Sequence, residues 1–241
     1  MDRDAFRVLV VCTGNLNRSA LGAALLRTWV EWYLPADLAA RVTVTSAGTA
    51  APVGRPMRRR TRAIAEALGA SGSGHRARQL DESEVGAADL VLTADVAHRD
   101  AVLGMVPAML RSTFTIREAG AIAADLGPAL APQTADELRE RVARLAEGRG
   151  RGIQGPGDIT DPQGKDDEAF RAMARDEVPP LTRLAAQLLG MPQKDLEAIG
   201  GEVTAPDAFP FVGLDPPPTG GRTSQPALER RLRRWFGRKD S

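Results

Sequence analysis

A buried strand that runs directly into a cysteine-containing loop and then a helix is the feature that most constrains this chain. The apolar run Phe6–Val11 predicts a fully buried β-strand. The segment Ser19–Leu34 predicts a helix, because its apolar residues fall on one face. The connecting loop reads Cys-Thr-Gly-Asn-Leu-Asn-Arg and places Cys12 and Arg18 at its two ends.

This loop is typical of a site that binds a phosphate-like dianion and attacks it. Its backbone N–H groups can turn inward to form an anion cradle, and the following helix directs its positive end to the same point. The guanidinium of Arg18 can bind two oxygens at once. The same positive field favours the thiolate of Cys12, which is the nucleophilic form. We therefore expect Cys12 and Arg18 to be catalytic.

The rest of the loop is expected to bind the substrate. Gly14 permits close approach of the backbone to a ligand, Asn15 can hold a left-handed turn or brace the loop, and Ser19 can cap the helix or donate to the sulfur. The alternative is an ordinary strand-to-helix turn, which does not need this Cys–Arg spacing. The predicted substrate-binding residues are Thr13, Gly14, Asn15, Leu16, Asn17 and Ser19.

The segment Val11–Ser19 resembles the signature of the low-molecular-weight protein tyrosine phosphatases, which share their fold with arsenate reductases. The family reads V-C-x-G-N-x-C-R-S-P, and here Asn17 replaces the second cysteine and Ala20 the proline. The resemblance covers about residues 6 to 190. Supporting segments occur in the family's order at Thr45–Thr49, Gly54–Met57, His75–Leu80, Asp89–Thr93 and Asp161-Pro162.

Strands and helices alternate along the chain, which favours an α/β fold with a parallel sheet covered on both faces. The resemblance implies four strands in the order 2-1-3-4, a phosphotyrosine phosphatase I-like architecture with a C-terminal extension. Further strands are predicted at Val42–Ser46, Ala88–Thr93 and Thr113–Ile116, and further helices at Pro56–Leu68, Val96–Met105, Thr134–Glu147, Asp166–Glu177 and Leu181–Leu189. A kink or break is expected at Pro179-Pro180.

The chain is predicted to divide into a phosphatase domain at 1–190 and a proline-rich extension at 191–241. Within the extension, Asp215–Gln225 is expected to be a flexible linker. Ala227–Lys239 is a short basic amphipathic segment. It could contact an acidic membrane surface or partner, but a solvated or back-packed terminal helix is the favoured interpretation.

The family resemblance implies that Asp161 is the general acid, with Asp158 as the local rival and simple turn initiation as the alternative. Aromatic residues that often follow Asp-Pro in the family are replaced by Gln163-Gly164, and Ala50–Pro52 supplies none on the facing loop. We therefore expect weak walls around a phosphotyrosine ring. Because Asn17 replaces the second cysteine, Cys12 lacks an adjacent partner for a protective disulfide.

Other charged side chains are interpreted as structural. His98 is expected to be solvated or to cap a helix, and His75 to lie in a turn. The run Arg58–Arg60 is expected to lie on an exposed helix face with paired charges.

Composition excludes several classes of function. One cysteine excludes an intrachain disulfide. No apolar run reaches the length of a membrane span, and the charged N-terminus lacks a signal-peptide core, so a cytoplasmic protein is expected. A net charge of +1 argues against nucleic-acid binding. The scattered cysteine and histidines predict no metal site, and no cofactor is expected.

The leading hypothesis is a protein tyrosine phosphatase that acts through a phosphocysteine intermediate. Its substrate would be a phosphotyrosine protein or a small aryl phosphate, and phosphate-like anions would be ligands. The alternative is an arsenate reductase that depends on a small thiol, since one cysteine cannot support a multi-cysteine relay. A third hypothesis, an inactive binding module, disagrees with the presence of Cys12, Arg18 and Asp161.

Overall fold

The computed structural model describes residues 4–149 and 158–211. Its four strands are β1 (Phe6–Cys12), β2 (Val42–Gly48), β3 (Leu90–Thr93) and β4 (Thr113–Thr115). They form one sheet in the order β2-β1-β3-β4, and every pairing is parallel. The predicted strand order is confirmed. The loop that follows Cys12 therefore leaves the sheet at its carboxyl edge, where open α/β folds bind ligands.

Helices cover both faces of the sheet. Alternate side chains of the central strands point to opposite sides: Val8, Val10 and Leu92 join the larger core, and Leu9, Val11 and Val91 join a smaller one. The helices are α1 (Arg18–Tyr33), α2 (Ala36–Ala39), α3 (Arg59–Ala67), α4 (Glu82–Ala87), α5 (Val96–Met105), α6 (Ile116–Leu126), α7 (Ala135–Gly148), α8 (Asp167–Leu188) and α9 (Gln193–Thr204), with a 3₁₀ turn at Pro107–Arg111.

Some helices differ from the sequence expectations. Helix α3 begins at Arg59 rather than Pro56. Helix α6 was not predicted, because it begins at the residue after β4 with no loop between them. Its start is a capping box in which Thr115 and Glu118 each bind the other's backbone N–H.

The predicted break at Pro179-Pro180 is wrong, because α8 runs continuously through both prolines. The Thr182 hydroxyl donates to the Pro179 carbonyl at 2.8 Å. Helix α6 packs closely against this point, since a Cβ on Gly120 would lie 2.5 Å from the Pro180 Cα. Close packing of the buried turn against α6 outweighs the local preference of proline to end a helix.

The folded part of the chain continues past residue 190. Helix α9 packs on α8, and Phe209 and Phe211 are buried, the latter edge-on to Phe170. The division at residue 190 remains a prediction. The predicted linker and basic segment, 215–225 and 227–239, lie outside the described residues. Within the described ranges, no helix is both long and apolar enough to cross a membrane.

Candidate active site

The loop after β1 wraps around the Cys12 sulfur. The Asn15 backbone N–H donates to Sγ at 3.3 Å, and the Ser19 hydroxyl lies 2.9 Å from it. Asn15 adopts the left-handed conformation, with φ 51°, which asparagine tolerates better than most residues. Its side chain also braces the loop: Nδ2 donates to the Ser19 hydroxyl and Oδ1 accepts from the Arg78 N–H, both at 2.9 Å.

Strand β2 approaches this loop closely. A Cβ on Gly48 would lie 2.4 Å from the Thr13 carbonyl oxygen and 3.0 Å from the Asn15 nitrogen, so only glycine fits there. The backbone N–H groups of Thr49 and Ala50 donate to the carbonyls of Cys12 and Thr13. The loop is therefore held from the side of the sheet by backbone hydrogen bonds.

Opposing effects act on the acidity of Cys12. Burial raises the pKa of the Cys12 thiol above its ordinary value and is the largest effect. The Ser19 hydroxyl, the Arg18 charge and the Asn15 N–H each lower it. Because the thiolate is the nucleophile, these three groups favour the reactive form against the effect of burial.

Arg18 begins α1, and its guanidinium points to the same place as the sulfur. It is 5% exposed. It donates to Asp161 Oδ2 at 2.9 Å, and more weakly to Asp95 Oδ2 and the Ile159 carbonyl at 3.4 Å. A buried guanidinium with carboxylates on both of its terminal nitrogens is a preorganised binder of oxyanions.

The prediction of a solvated His98 is wrong, since the side chain is buried beside the loop. Its Nε2 lies 2.8 Å from the Thr13 hydroxyl, and its Nδ1 lies 2.7 Å from Asp95 Oδ1. Burial lowers the pKa of His98, so the ring is neutral at neutral pH. The hydrogen bond between Nε2 and the Thr13 hydroxyl joins the ring to the loop. The sequence signal was the Asp95–His98 spacing at the start of α5, where Asp95 also caps the helix.

His75 also contacts the loop, with Nε2 2.7 Å from the Asn15 carbonyl oxygen. Burial lowers the pKa of His75, opposed by this contact. The neutral ring can therefore donate to that carbonyl from Nε2. It therefore supports the loop at Asn15, whereas His98 contacts it at Thr13.

Asp161 and its rival Asp158 have different surroundings. Asp161 contacts Arg18 and lines the cavity above Cys12. The Asp158 carboxylate instead accepts from the Val96 N–H at the start of α5. Asn17, which replaces the family's second cysteine, accepts from the buried Thr61 hydroxyl at 2.8 Å and reaches Gln163 at 3.4 Å. It therefore links α3 to the loop that carries Asp161.

The cavity above the sulfur has a volume of about 270 Å³. None of the described residues that line it is aromatic. Asn15 and Ser19 are not in the lining, because their side chains point inward. The lining residues are Cys12, Thr13, Gly14, Leu16, Asn17, Arg18, Ala50, Pro52, Arg58, Asp161 and Gln163.

The expected pairing of Arg58–Arg60 holds only in part. Arg60 pairs with Asp167. Arg58 and Arg59 are exposed, and neither forms an ion pair with another residue of the described chain. The same ranges contain no cluster of histidine, cysteine, aspartate or glutamate that could hold a metal ion.

Comparisons with known proteins agree with this geometry. A sequence model described as low molecular weight phosphotyrosine protein phosphatase matches residues 7–120. A probable low molecular weight protein-tyrosine-phosphatase, EpsP, from Ralstonia nicotianae is 38% identical over 111 residues, which are 46% of this chain and 70% of the relative. A protein-arginine-phosphatase from Geobacillus stearothermophilus is 32% identical over 149 residues, 59% of this chain and 95% of the relative.

Solved structures show the same fold. The YwlE arginine phosphatase from Geobacillus stearothermophilus has a TM-score of 0.53 at 28% identity, covering 76% of this chain and 92% of that one. A low molecular weight protein tyrosine phosphatase from T. tengcongensis has a TM-score of 0.55 at 25% identity, and the match covers 76% of this chain and 100% of that one. The relatives give no support to arsenate reduction. This chain belongs to the low molecular weight phosphotyrosine protein phosphatase family and is a cysteine-dependent phosphatase.

Proposed function

We propose that this phosphatase hydrolyses phosphotyrosine in proteins, with Cys12 as nucleophile, Arg18 as phosphoryl-binding residue and Asp161 as general acid. One observation carries the proposal: Cys12, Arg18 and Asp161 line a single cavity, and Arg18 binds Asp161 directly at 2.9 Å. A nucleophile, an oxyanion binder and a proton donor thus meet at one point. Phosphate-like anions should bind there as well.

The reaction needs two displacements. The Cys12 thiolate attacks phosphorus, the P–O bond to the leaving group breaks, and Asp161 gives its proton to the departing oxygen. Asp161, now a carboxylate, takes a proton from water as that water attacks the phosphocysteine, and the thiolate and inorganic phosphate are released. Arg18 would stabilise the charge on the non-bridging oxygens in both steps.

The remaining loop residues would bind the phosphoryl group through their backbone. Thr13, Gly14, Leu16 and Asn17 line the cavity, and the N–H groups of the loop would donate to the oxygens. Asn15 and Ser19 would act through the loop's shape and through the sulfur, because their side chains bond to each other.

The Arg18–Asp161 pair suggests what substrate binding changes. Asp161 Oδ2 accepts a hydrogen bond from Arg18, and a phosphoryl oxygen would bind the same guanidinium. A dianionic phosphoryl group would replace this carboxylate on Arg18. Asp161 would then be released towards the leaving oxygen.

The cavity walls favour tyrosine over arginine as the phosphorylated residue. Leu16, Ala50 and Pro52 offer apolar contact, and Arg58 adds a positive charge. A cationic side chain can stack on a neutral aromatic ring, whereas it repels the guanidinium group of phosphoarginine. Phosphoarginine is the second candidate, because a relative that the chain covers to 95% is named a protein-arginine-phosphatase.

The test compares peptides of one sequence that carry either phosphotyrosine or phosphoarginine. We expect a higher kcat/KM for phosphotyrosine, and Arg58→Glu should move the ratio towards phosphoarginine. Wild-type protein quenched in acid should retain labelled phosphate on Cys12, and Cys12→Ser should lose turnover while it still binds phosphate. A preference for phosphoarginine would reverse the substrate assignment, and turnover by Cys12→Ser would refute the mechanism.

A further inference from the structure

Three arginines without an ionic partner among the described residues lie in or next to the segments that line the active-site cavity. Arg55, Arg58 and Arg59 are exposed, and within the ranges that the structure describes none of them forms an ion pair. Arg58 lines the cavity, and its backbone N–H donates to the Leu16 carbonyl of the loop.

The two other arginines are fixed close to Arg58. The Arg55 N–H donates to the carbonyl of Pro52, itself a lining residue. Arg59 is the first residue of α3, a helix anchored to the loop by the bond from Thr61 to Asn17. The backbone of Arg55 and of Arg59 is therefore held next to residues that line the cavity.

The placement of these charges does not serve the stability of α3. The N-terminus of a helix carries partial positive charge and is stabilised by acidic residues, but the first turn of α3 contains none. Neighbouring acids pair with other arginines: Asp167 with Arg60, Glu66 with Arg62, and Glu84 with Arg78. A locally unfavourable cluster beside a substrate cavity points to a ligand outside the chain.

The ligand of Arg55 and Arg59 is not the transferred phosphoryl group. Arg18 binds that group at the bottom of the cavity, and neither Arg55 nor Arg59 is among the lining residues. Side chains at the rim face the parts of a substrate that stay outside the cavity. Exposed Val53 lies between Pro52 and Arg55 and adds an apolar contact at the same place.

We propose that Arg55, Arg58 and Arg59 form a docking surface for acidic residues that flank the phosphorylated tyrosine of a protein substrate. This inference rests on the proposed function and narrows its substrate class. Exposed ion pairs contribute weakly, so each arginine should change kcat/KM by about two- to threefold, and three together by about tenfold. The effect should fall mainly on KM, because these contacts lie away from the reacting atoms.

The test uses three phosphotyrosine peptides with acidic, uncharged and lysine-rich flanks, and nitrophenyl phosphate as a substrate without flanks. At low salt, the kcat/KM of the wild type should be about tenfold higher for the acidic peptide than for the uncharged one. This preference should shrink as added salt shortens the screening length. Arg55→Gln/Arg59→Gln should reduce the preference to about threefold. The same variant should hydrolyse nitrophenyl phosphate at the wild-type rate.

A matched variant controls for net charge. Arg111→Gln/Arg144→Gln also removes two exposed arginines. Arg111 precedes β4, and Arg144 lies on α7. Helix α7 contacts the amino ends of the strands, where Arg139 donates to the Ala5 carbonyl. This variant should keep the full preference.

Each contrary outcome has a separate meaning. An unchanged preference in Arg55→Gln/Arg59→Gln, or an equal loss in the matched variant, would refute the docking surface. A parallel loss on nitrophenyl phosphate would show steering of the phosphoryl group instead. If vesicles of anionic lipid bind through these arginines and acidic peptides do not, the surface belongs to a membrane. Failure of the wild type on all four substrates would refute the proposed function itself.

Discussion

Replacement of Asp161 by asparagine should separate two roles of this carboxylate. In the structure Asp161 accepts a hydrogen bond from the guanidinium of Arg18 at 2.9 Å, and we expect it to compete with an oxyanion for that group. The variant removes the competing charge and keeps the shape. We therefore expect Asp161→Asn to bind inorganic phosphate more tightly than the wild type, while it hydrolyses poor leaving groups more slowly.

The size of the gain in binding follows from the exposure of the two partners. A hydrogen bond to a charged group contributes about 1.5–3 kcal/mol when buried, and an exposed ion pair about 0.2–1 kcal/mol. The Arg18 side chain is 6% exposed but that of Asp161 is 45% exposed, so we take about 1 kcal/mol for the pair. This corresponds to about fivefold tighter phosphate binding.

Calorimetric titration with phosphate measures the affinity, and hydrolysis of aryl phosphates with leaving groups of different pKa measures the acid role. Asp161→Asn should slow the hydrolysis of phosphotyrosine much more than that of nitrophenyl phosphate, because nitrophenolate leaves without a proton. Asp158→Asn is the matched control, since its carboxylate caps the start of α5, and it should change neither quantity. Unchanged or weaker phosphate binding would refute the competition, and equal slowing of all leaving groups would refute the acid role.

Further predictions concern the thiol, a buried carboxyl and helix packing. Ser19→Ala removes a group that lowers the pKa of Cys12, so alkylation of this sole cysteine by iodoacetamide should shift to higher pH; an unchanged profile would contradict this. Burial raises the pKa of Glu177 well above its usual value, opposed by the nearby Arg18 charge. A raised folded-state pKa makes wild-type stability fall as pH rises above the ordinary glutamate range. Between pH 5 and pH 8, the melting temperature of Glu177→Gln should therefore rise relative to that of the wild type. A constant difference in melting temperature over this range would show that Glu177 does not titrate there. Gly120→Ala should destabilise the fold by about 1–3 kcal/mol through overpacking. Gly104→Ala, with nothing within 4 Å of its Cβ, should leave thermal stability unchanged or slightly higher, and similar losses for both would refute the packing argument.

The local features of this protein follow from its sequence. The apolar run before Cys12 predicts β1, and the spacing of Cys12 and Arg18 predicts an anion-binding loop, because both depend on residues close together in the chain. The left-handed conformation of Asn15 could be anticipated in the same way, since asparagine tolerates a positive φ. The strand order came from the family resemblance, and the sheet confirms it.

Only the tertiary structure decided which distant groups complete the site. Thr13 meets His98 from 85 residues away, and Arg18 meets Asp161 from 143 residues away. Local patterns carry no information about such pairs, so the sequence around His98 predicted a surface position for it. The same limit explains α8, whose prolines favour a break locally but whose buried surface is held by α6. Periodicity and turn chemistry act over a few residues, whereas packing against distant elements fixes the partners of each buried polar group.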